Sequence, residues 1–127
     1  LLEAQEKLRE NGSFPVIILI SGVDGSGKGD TINTLYEWMD PRYMSTRTFS
    51  APTQEERQRP SMWRFWRALP KKGRIGIAAG SWYSWPVADR IAGDLSRSDF
   101  DQRMDELNRF EEMLVNEGAL VLKFWYP

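Results

Sequence analysis

"VIILISGVDGSGKGD", residues 16–30, decides how the chain is read. Val16 to Ile20 is an unbroken aliphatic, largely β-branched run bounded by turn formers, the pattern of a strand buried on both faces inside a parallel sheet. A glycine-rich turn follows at once. Behind Lys28, Ile32, Leu35, Tyr36 and Met39 recur at helical spacing until Asp40-Pro41 stops them. Strand, glycine-rich turn, lysine and helix is the context in which a phosphate-cradling loop forms. Gly22, Gly25, Gly27 and Gly29 permit close backbone approach. Amides around Ser26 can then converge on an anion, and the helix start adds roughly half a positive charge. Lys28 is the group that would neutralise terminal phosphates. Gly29 stands where such loops usually place Ser or Thr. Asp24 would repel an anion unless something offsets its charge, and two readings stand. Either it holds Mg²⁺ or a water on it, replacing the missing hydroxyl, or it makes an Asx-type bond within its own loop. Thr31 is a weaker substitute for that hydroxyl.

Outward from this stretch, residues 1–11 read as a surface helix closed by Gly12, and residues 14–21 as the first strand. "YMSTRTFS", residues 43–50, alternates like a strand, and residues 54–69 are helical with a break at Pro60. "RIGIAA", residues 74–79, is a second buried strand, followed by "GSWYSWP", residues 80–86, as a loop at its carboxyl end. Ser98 is expected to cap a long helix striped by Phe100, Met104, Leu107, Phe110 and Leu114 and ended by Gly118. "ALVLKFWY", residues 119–126, is the last strand. Strands alternating with helices predict an α/β fold with a parallel sheet and ligand sites beyond the carboxyl strand ends. Trp38, Trp63, Trp66 and Trp125 are expected in the core.

Composition narrows the chemistry. The 127 residues suit one domain, whole or partial, with 41% hydrophobic content and no apolar run near the roughly 20 residues that span a bilayer. With no cysteine and no histidine, thiolate and imidazole roles are excluded, leaving carboxylates, lysine, arginine, hydroxyls and backbone. No secretion signal is visible, and the expected compartment is the cytoplasm. A net charge of −1 gives no global field for nucleic acid or membrane, and neither is an expected partner. Locally, Arg57, Arg59, Arg64, Arg67, Lys71, Lys72 and Arg74 occur with no acidic residue between them. Arg64 and Arg67 share a helical face opposite Met62, Phe65, Trp66 and Leu69. That face either tracks a polyanion by charge-assisted bonds or is a solvated surface beside the acidic "DFDQRMDE", residues 99–106. Arg47 either meets a nucleotide phosphate or is merely exposed. Trp82, Tyr83 and Trp85 either stack on a base or, the preferred reading, pack their loop against the core.

"GVDGSGKGDTI", "APTQEERQRPSMWRFWRALPKKGRIGI", "GSWY" and "LVLKFWY", in that order and spacing, resemble the second family of polyphosphate kinases, particularly the tandem polyphosphate:AMP phosphotransferases. The resemblance spans nearly the whole chain. It implies a three-layer, P-loop kinase-like parallel sheet, similar to thymidylate kinases. It also implies phosphoryl transfer between inorganic polyphosphate and AMP or ADP with Mg²⁺. If the domain acts in this way, the residue reading gives the phosphates to Gly22, Gly25, Ser26, Gly27, Lys28 and Gly29, the transferring group to Lys28, Mg²⁺ to Asp24, and the polyanion or acceptor to Arg57 and Arg64. Two departures bear on this. Catalytic members usually end the strand before Ser-Trp-Tyr with Asp-Arg, whereas this chain has Ala79-Gly80. The chain also stops before the arginine-bearing lid, so residues 1–127 are expected to be a partial domain, resembling the degenerate first half of a tandem member. The alternative is a structural or ligand-binding half that supports a catalytic partner domain. A homo-oligomer or a tandem partner is expected.

Overall fold

One strand organises the molecule through its two faces. β1 (Val16–Gly22) lies inside a four-stranded parallel sheet of order β2-β3-β1-β4, with β2 Met44–Thr48, β3 Ile75–Ala79 and β4 Leu120–Tyr126. The computed structural model describes residues 1–22, 27–49, 53–59, 62–80 and 82–126, with the backbone alone described for Trp85 and Tyr126. Because successive strand side chains point to opposite faces, the aliphatic run of β1 supplies two cores at once. Ile17 and Leu19 pack with Phe65, Trp82, Leu107, Phe110 and Leu114; Val16, Ile18 and Ile20 pack with Leu8, Met39, Ile75 and Ile77. Leu19, Ile20 and Ile77 are fully buried, each worth about 1.5–3 kcal/mol of transfer free energy.

Helices cover both faces, giving the expected three layers. On one side lie α1 (Leu2–Asn11) and α2 (Lys28–Trp38), which contribute Leu8, Ile32 and Leu35. On the other lie α4 (Trp63–Arg67) and α6 (Arg97–Asn116), which contribute Phe65, Leu107, Phe110 and Leu114. Short helices α3 (Gln54–Gln58) and α5 (Ser84–Ala92) and a 3-10 turn at Pro41–Tyr43 complete the described elements.

Three local expectations need correction. The expected loop "GSWYSWP" turns helical at Ser84, because Pro86 falls in the first turn of α5, where its missing N–H costs nothing, and Gly93 ends the helix at φ 82°. Ser96, not Ser98, caps α6: its hydroxyl accepts the Asp99 amide at 3.1 Å, while Ser98 already sits inside the helix. Residues 54–69 hold two short helices, in keeping with the expected interruption. The first opens with a capping box in which Thr53 accepts from the Glu56 amide at 3.1 Å and Glu56 accepts from the Thr53 amide at 2.9 Å. Pro60 lies outside the described residues. Lastly, Trp38, Trp66 and Trp125 are exposed, and Trp63 is half-buried. Trp38 holds the last position of α2 and Trp125 lies on the edge strand β4, while Trp66, on the short α4, meets Phe110 edge-on at 5.0 Å and still stays exposed. Among the described side chains, the tryptophan of the core is Trp82.

Candidate functional site

The carboxyl strand ends make one rim. Gly22 pairs with Tyr126, the Gly80 amide donates to the Ile20 carbonyl at 2.8 Å, and the Phe49 amide donates to the Ala79 carbonyl at 3.3 Å. The glycine-rich loop leaves this rim at Gly22 and enters α2 at Lys28. Asp24, Gly25 and Ser26 lie outside the described residues, so the expectations placed on them rest on the sequence. Gly27 precedes α2 at φ 98°, a left-handed conformation that a Cβ disfavours. The Lys28 ammonium donates to the Gly22 carbonyl at 2.9 Å, so it reaches back across the mouth of the loop rather than outward along the helix. A Cβ on Gly29 would meet nothing within 4 Å, so packing does not explain the missing hydroxyl. The Thr31 hydroxyl donates to the Gly27 carbonyl at 3.2 Å, turned toward its own helix.

A second cationic site opens at the end of β2. Arg47, Thr48, Phe49, Glu56, Arg64 and Arg67 line a cavity of about 220 Å³. The i, i+3 spacing of Arg64 and Arg67 on α4 turns both toward it. Arg64 is the most constrained: its side chain is 10% exposed, lies 4.0 Å from Glu56, and stacks over Phe49 and Phe65 at 5.5 and 5.0 Å. Burial pushes the Arg64 guanidinium below its usual value, Glu56 opposing that shift and the nearby charge of Arg57 reinforcing it. The Thr53 amide holds the Glu56 carboxyl below the ordinary carboxylate range, with burial opposing and Arg64 and Arg67 assisting. Of the two sequence candidates here, Arg64 lines the cavity. Arg57 sits exposed on α3 outside the lining, within electrostatic reach. β2 lies two strand spacings from β1, so the ends of these two strands stand roughly 10 Å apart along the rim.

Between them β3 ends at Ala79, and neither it nor Gly80, which follows, offers a carboxylate or a guanidinium. Among the described residues, no three His, Cys, Asp or Glu side chains cluster to hold a metal. Below the rim Trp82 is packed, not presented to a ligand. It is 2% exposed and meets Phe65 and Phe110 edge-on at 5.9 and 5.0 Å. Sequence reasoning missed what holds this segment. Glu111 Oε1 accepts the Trp82 indole N–H at 2.8 Å and the Tyr83 hydroxyl at 2.6 Å, and its Oε2 accepts from the Lys123 ammonium. The available signal was a carboxylate on α6 beside the apolar stripe position Phe110.

A family model described as Polyphosphate kinase 2 matches residues 1–127. The chain belongs to the polyphosphate kinase 2 family. It is 52% identical over 126 residues to the polyphosphate:AMP phosphotransferase of Pseudomonas aeruginosa, covering 99% of this chain and 25% of that protein. It is 29% identical over 125 residues to the AMP/ADP-polyphosphate phosphotransferase of Meiothermus ruber, covering 98% of this chain and 47% of that one. The crystal structure of Polyphosphate Kinase 2 from Arthrobacter aurescens superposes with a TM-score of 0.94 at 27% identity, covering 98% of this chain and 46% of that chain. The chain thus spans about a quarter of its Pseudomonas relative. This polyphosphate kinase 2 chain carries that family's parallel α/β sheet.

Proposed function

We propose that this chain is a polyphosphate:nucleotide phosphotransferase module that moves a phosphoryl group between inorganic polyphosphate and AMP or ADP with Mg²⁺. Two cationic sites about two strand spacings apart on one rim carry the reading. Gly22 to Gly29 form the phosphate-binding P-loop, and Lys28 turns from the Gly22 carbonyl onto the transferring group. Arg64, with Arg47 and Arg67, holds the polyanion or the acceptor in the cavity, and Arg57 adds charge at its border. Transfer makes one bond, from a nucleotide phosphate oxygen to the terminal phosphorus of the chain, and breaks the anhydride bond behind it, leaving the chain one phosphate shorter. Positioning and charge suffice, with no covalent enzyme intermediate. Magnesium usually takes one or two carboxylates plus substrate oxygens and waters, so the single carboxylate Asp24 fits its donor chemistry. When bound, the ion would neutralise phosphate charge. No described helix is long and apolar enough to cross a membrane, and a cytoplasmic location belongs to the same reading. So does association with a second copy or a partner domain, for which the exposed β4 residues Leu122, Phe124 and Trp125 supply an apolar edge.

The test compares wild type with Lys28→Ala, given polyphosphate, Mg²⁺ and AMP or ADP, and measures nucleotide product. The expected loss is about a hundredfold or more, the scale of removing one preorganised charge donor. Equal product from both proteins would overturn the reading and leave this chain the role of a supporting half.

A further inference from the structure

At the opposite, amino-terminal end of the sheet, three guanidiniums surround one ring. Arg9, Arg42 and Arg74 lie 4.4, 5.4 and 5.6 Å from the centroid of Tyr43, and Arg9 donates to its hydroxyl at 3.3 Å. Three separate elements deliver them: the end of α1, the 3-10 turn before β2, and the turn before β3. The last turn presses close, since a Cβ on Gly73 would lie 3.2 Å from the Gly12 Cα. Lys71 and Lys72 in that turn are exposed, as are all three arginines. Against these five cations, Asp40 is tied to Arg42 at 2.7 Å. Glu10 makes no ion pair among the described residues, and neither do Arg9, Lys71, Lys72 or Arg74. The carbonyl end of α1 offsets roughly half a charge more, so the patch keeps a positive surplus. Stacking on Tyr43 restrains the guanidinium planes, which lowers the entropy lost when an anion binds.

This patch and the arginine cavity are the two ends of the same edge strand. Tyr43 immediately precedes β2, and Arg47 and Thr48 close it. Its five residues, Met44–Thr48, span roughly 17 Å at about 3.3 Å each, and an edge strand carries unpaired backbone N–H groups on its outer side. We propose that the β2 edge is a docking track for long polyphosphate, gripping at the Tyr43 cluster the part of the chain remote from the transferring end. The inference takes its ligand class from the function proposed above. A tripolyphosphate seated at the carboxyl rim ends there, whereas a long chain continues along β2 to Arg9 and Arg74.

The experiment measures binding of sodium tripolyphosphate and of long-chain polyphosphate by calorimetry, for wild type, Arg9→Gln/Arg74→Gln, Arg9→Lys/Arg74→Lys and Lys28→Ala. Thermal unfolding verifies that each variant is folded. The glutamine pair should weaken long-chain binding about three- to tenfold and leave tripolyphosphate within about twofold, as two exposed ion contacts predict. The lysine pair should keep most of the affinity, and Lys28→Ala should weaken both ligands. If the glutamine pair leaves the long-to-short affinity ratio unchanged while Lys28→Ala still acts, the track is wrong and the rim reading survives. If wild type binds neither polymer, the ligand class itself falls. A single-stranded DNA control that loses binding in the glutamine pair, with polyphosphate unaffected, would reassign the patch to nucleic acid and overturn the proposal.

Discussion

Replacing Glu111 by leucine removes the acceptor shared by three donors. The Trp82 indole N–H, 2.8 Å from Glu111 and 2% exposed, would be left unsatisfied in the core, at a cost of about 1–3 kcal/mol. The half-buried Tyr83 hydroxyl, 2.6 Å from the same oxygen, adds about 1 kcal/mol. The Lys123 side chain is 50% exposed and rehydrates, so its lost ion pair adds little. The leucine recovers part of this by burying apolar surface, which leaves a net loss of about 1–3 kcal/mol. Against a usual domain stability of about 5–15 kcal/mol, that is a large fraction. Glu111→Gln keeps the shape and one acceptor and should cost about 1 kcal/mol. Urea titration followed by tryptophan fluorescence reads both, as a shift of midpoint at unchanged slope. If leucine costs no more than glutamine, or less than about 0.5 kcal/mol, Glu111 is not what satisfies this cluster.

Two further outcomes follow from the same structure. Burial and then the Glu111 contact raise the Tyr83 pKa; for Lys123 burial is the largest single influence and lowers the pKa, but Glu111 and Tyr83 together raise it overall. Both folded values lie above the unfolded ones, so their stabilisation is complete below about pH 10 and is lost as pH rises through the raised values. Urea midpoints should fall across that range in wild type and fall less in Glu111→Gln; a flat wild-type profile would contradict this. Gly29→Ser has open space in the first turn of α2, so it should gain about 0.3–0.5 kcal/mol of helix propensity and tighten Mg²⁺-dependent tripolyphosphate binding. Weaker binding with unchanged stability would show that position 29 does not face the metal.

The layer order and the start of α2 at Lys28 were legible because each rests on local signals. Val16 to Ile20 can be buried on both sides only in the middle of a sheet, and Gly27-Lys28 can follow such a strand only as a turn into a helix. The arginine cavity was half legible. The helical wheel put Arg64 and Arg67 on one face, but their convergence with Arg47 depends on how β2 lies beside α4, a tertiary fact with no periodicity to announce it. The tryptophans misled because bulk and apolarity say that a residue seeks burial, not that a short helix or an edge strand can provide it. Trp82 succeeds because α6 offers Phe110 for packing and Glu111 for its N–H.

Ala79-Gly80 is more than a pair of substituted side chains. Gly80 has φ 89°, and its Cβ position lies 3.7 Å from the Phe49 carbonyl. An arginine there would be strained whatever its contacts, at a cost of about 1–2 kcal/mol. Position 79 is different: it is the last residue of β3, pairs with Ile20 and Thr48 and has no positive φ, so no backbone strain bars an L side chain there. An aspartate could therefore return at 79 without disturbing the sheet, while the arginine expected beside it could not return without re-bending the strand end. The charge at the middle of this rim is thus absent by backbone conformation as well as by composition. Among the described residues, the cations that flank this gap are Lys28 beside Gly22 and the arginines at the end of β2.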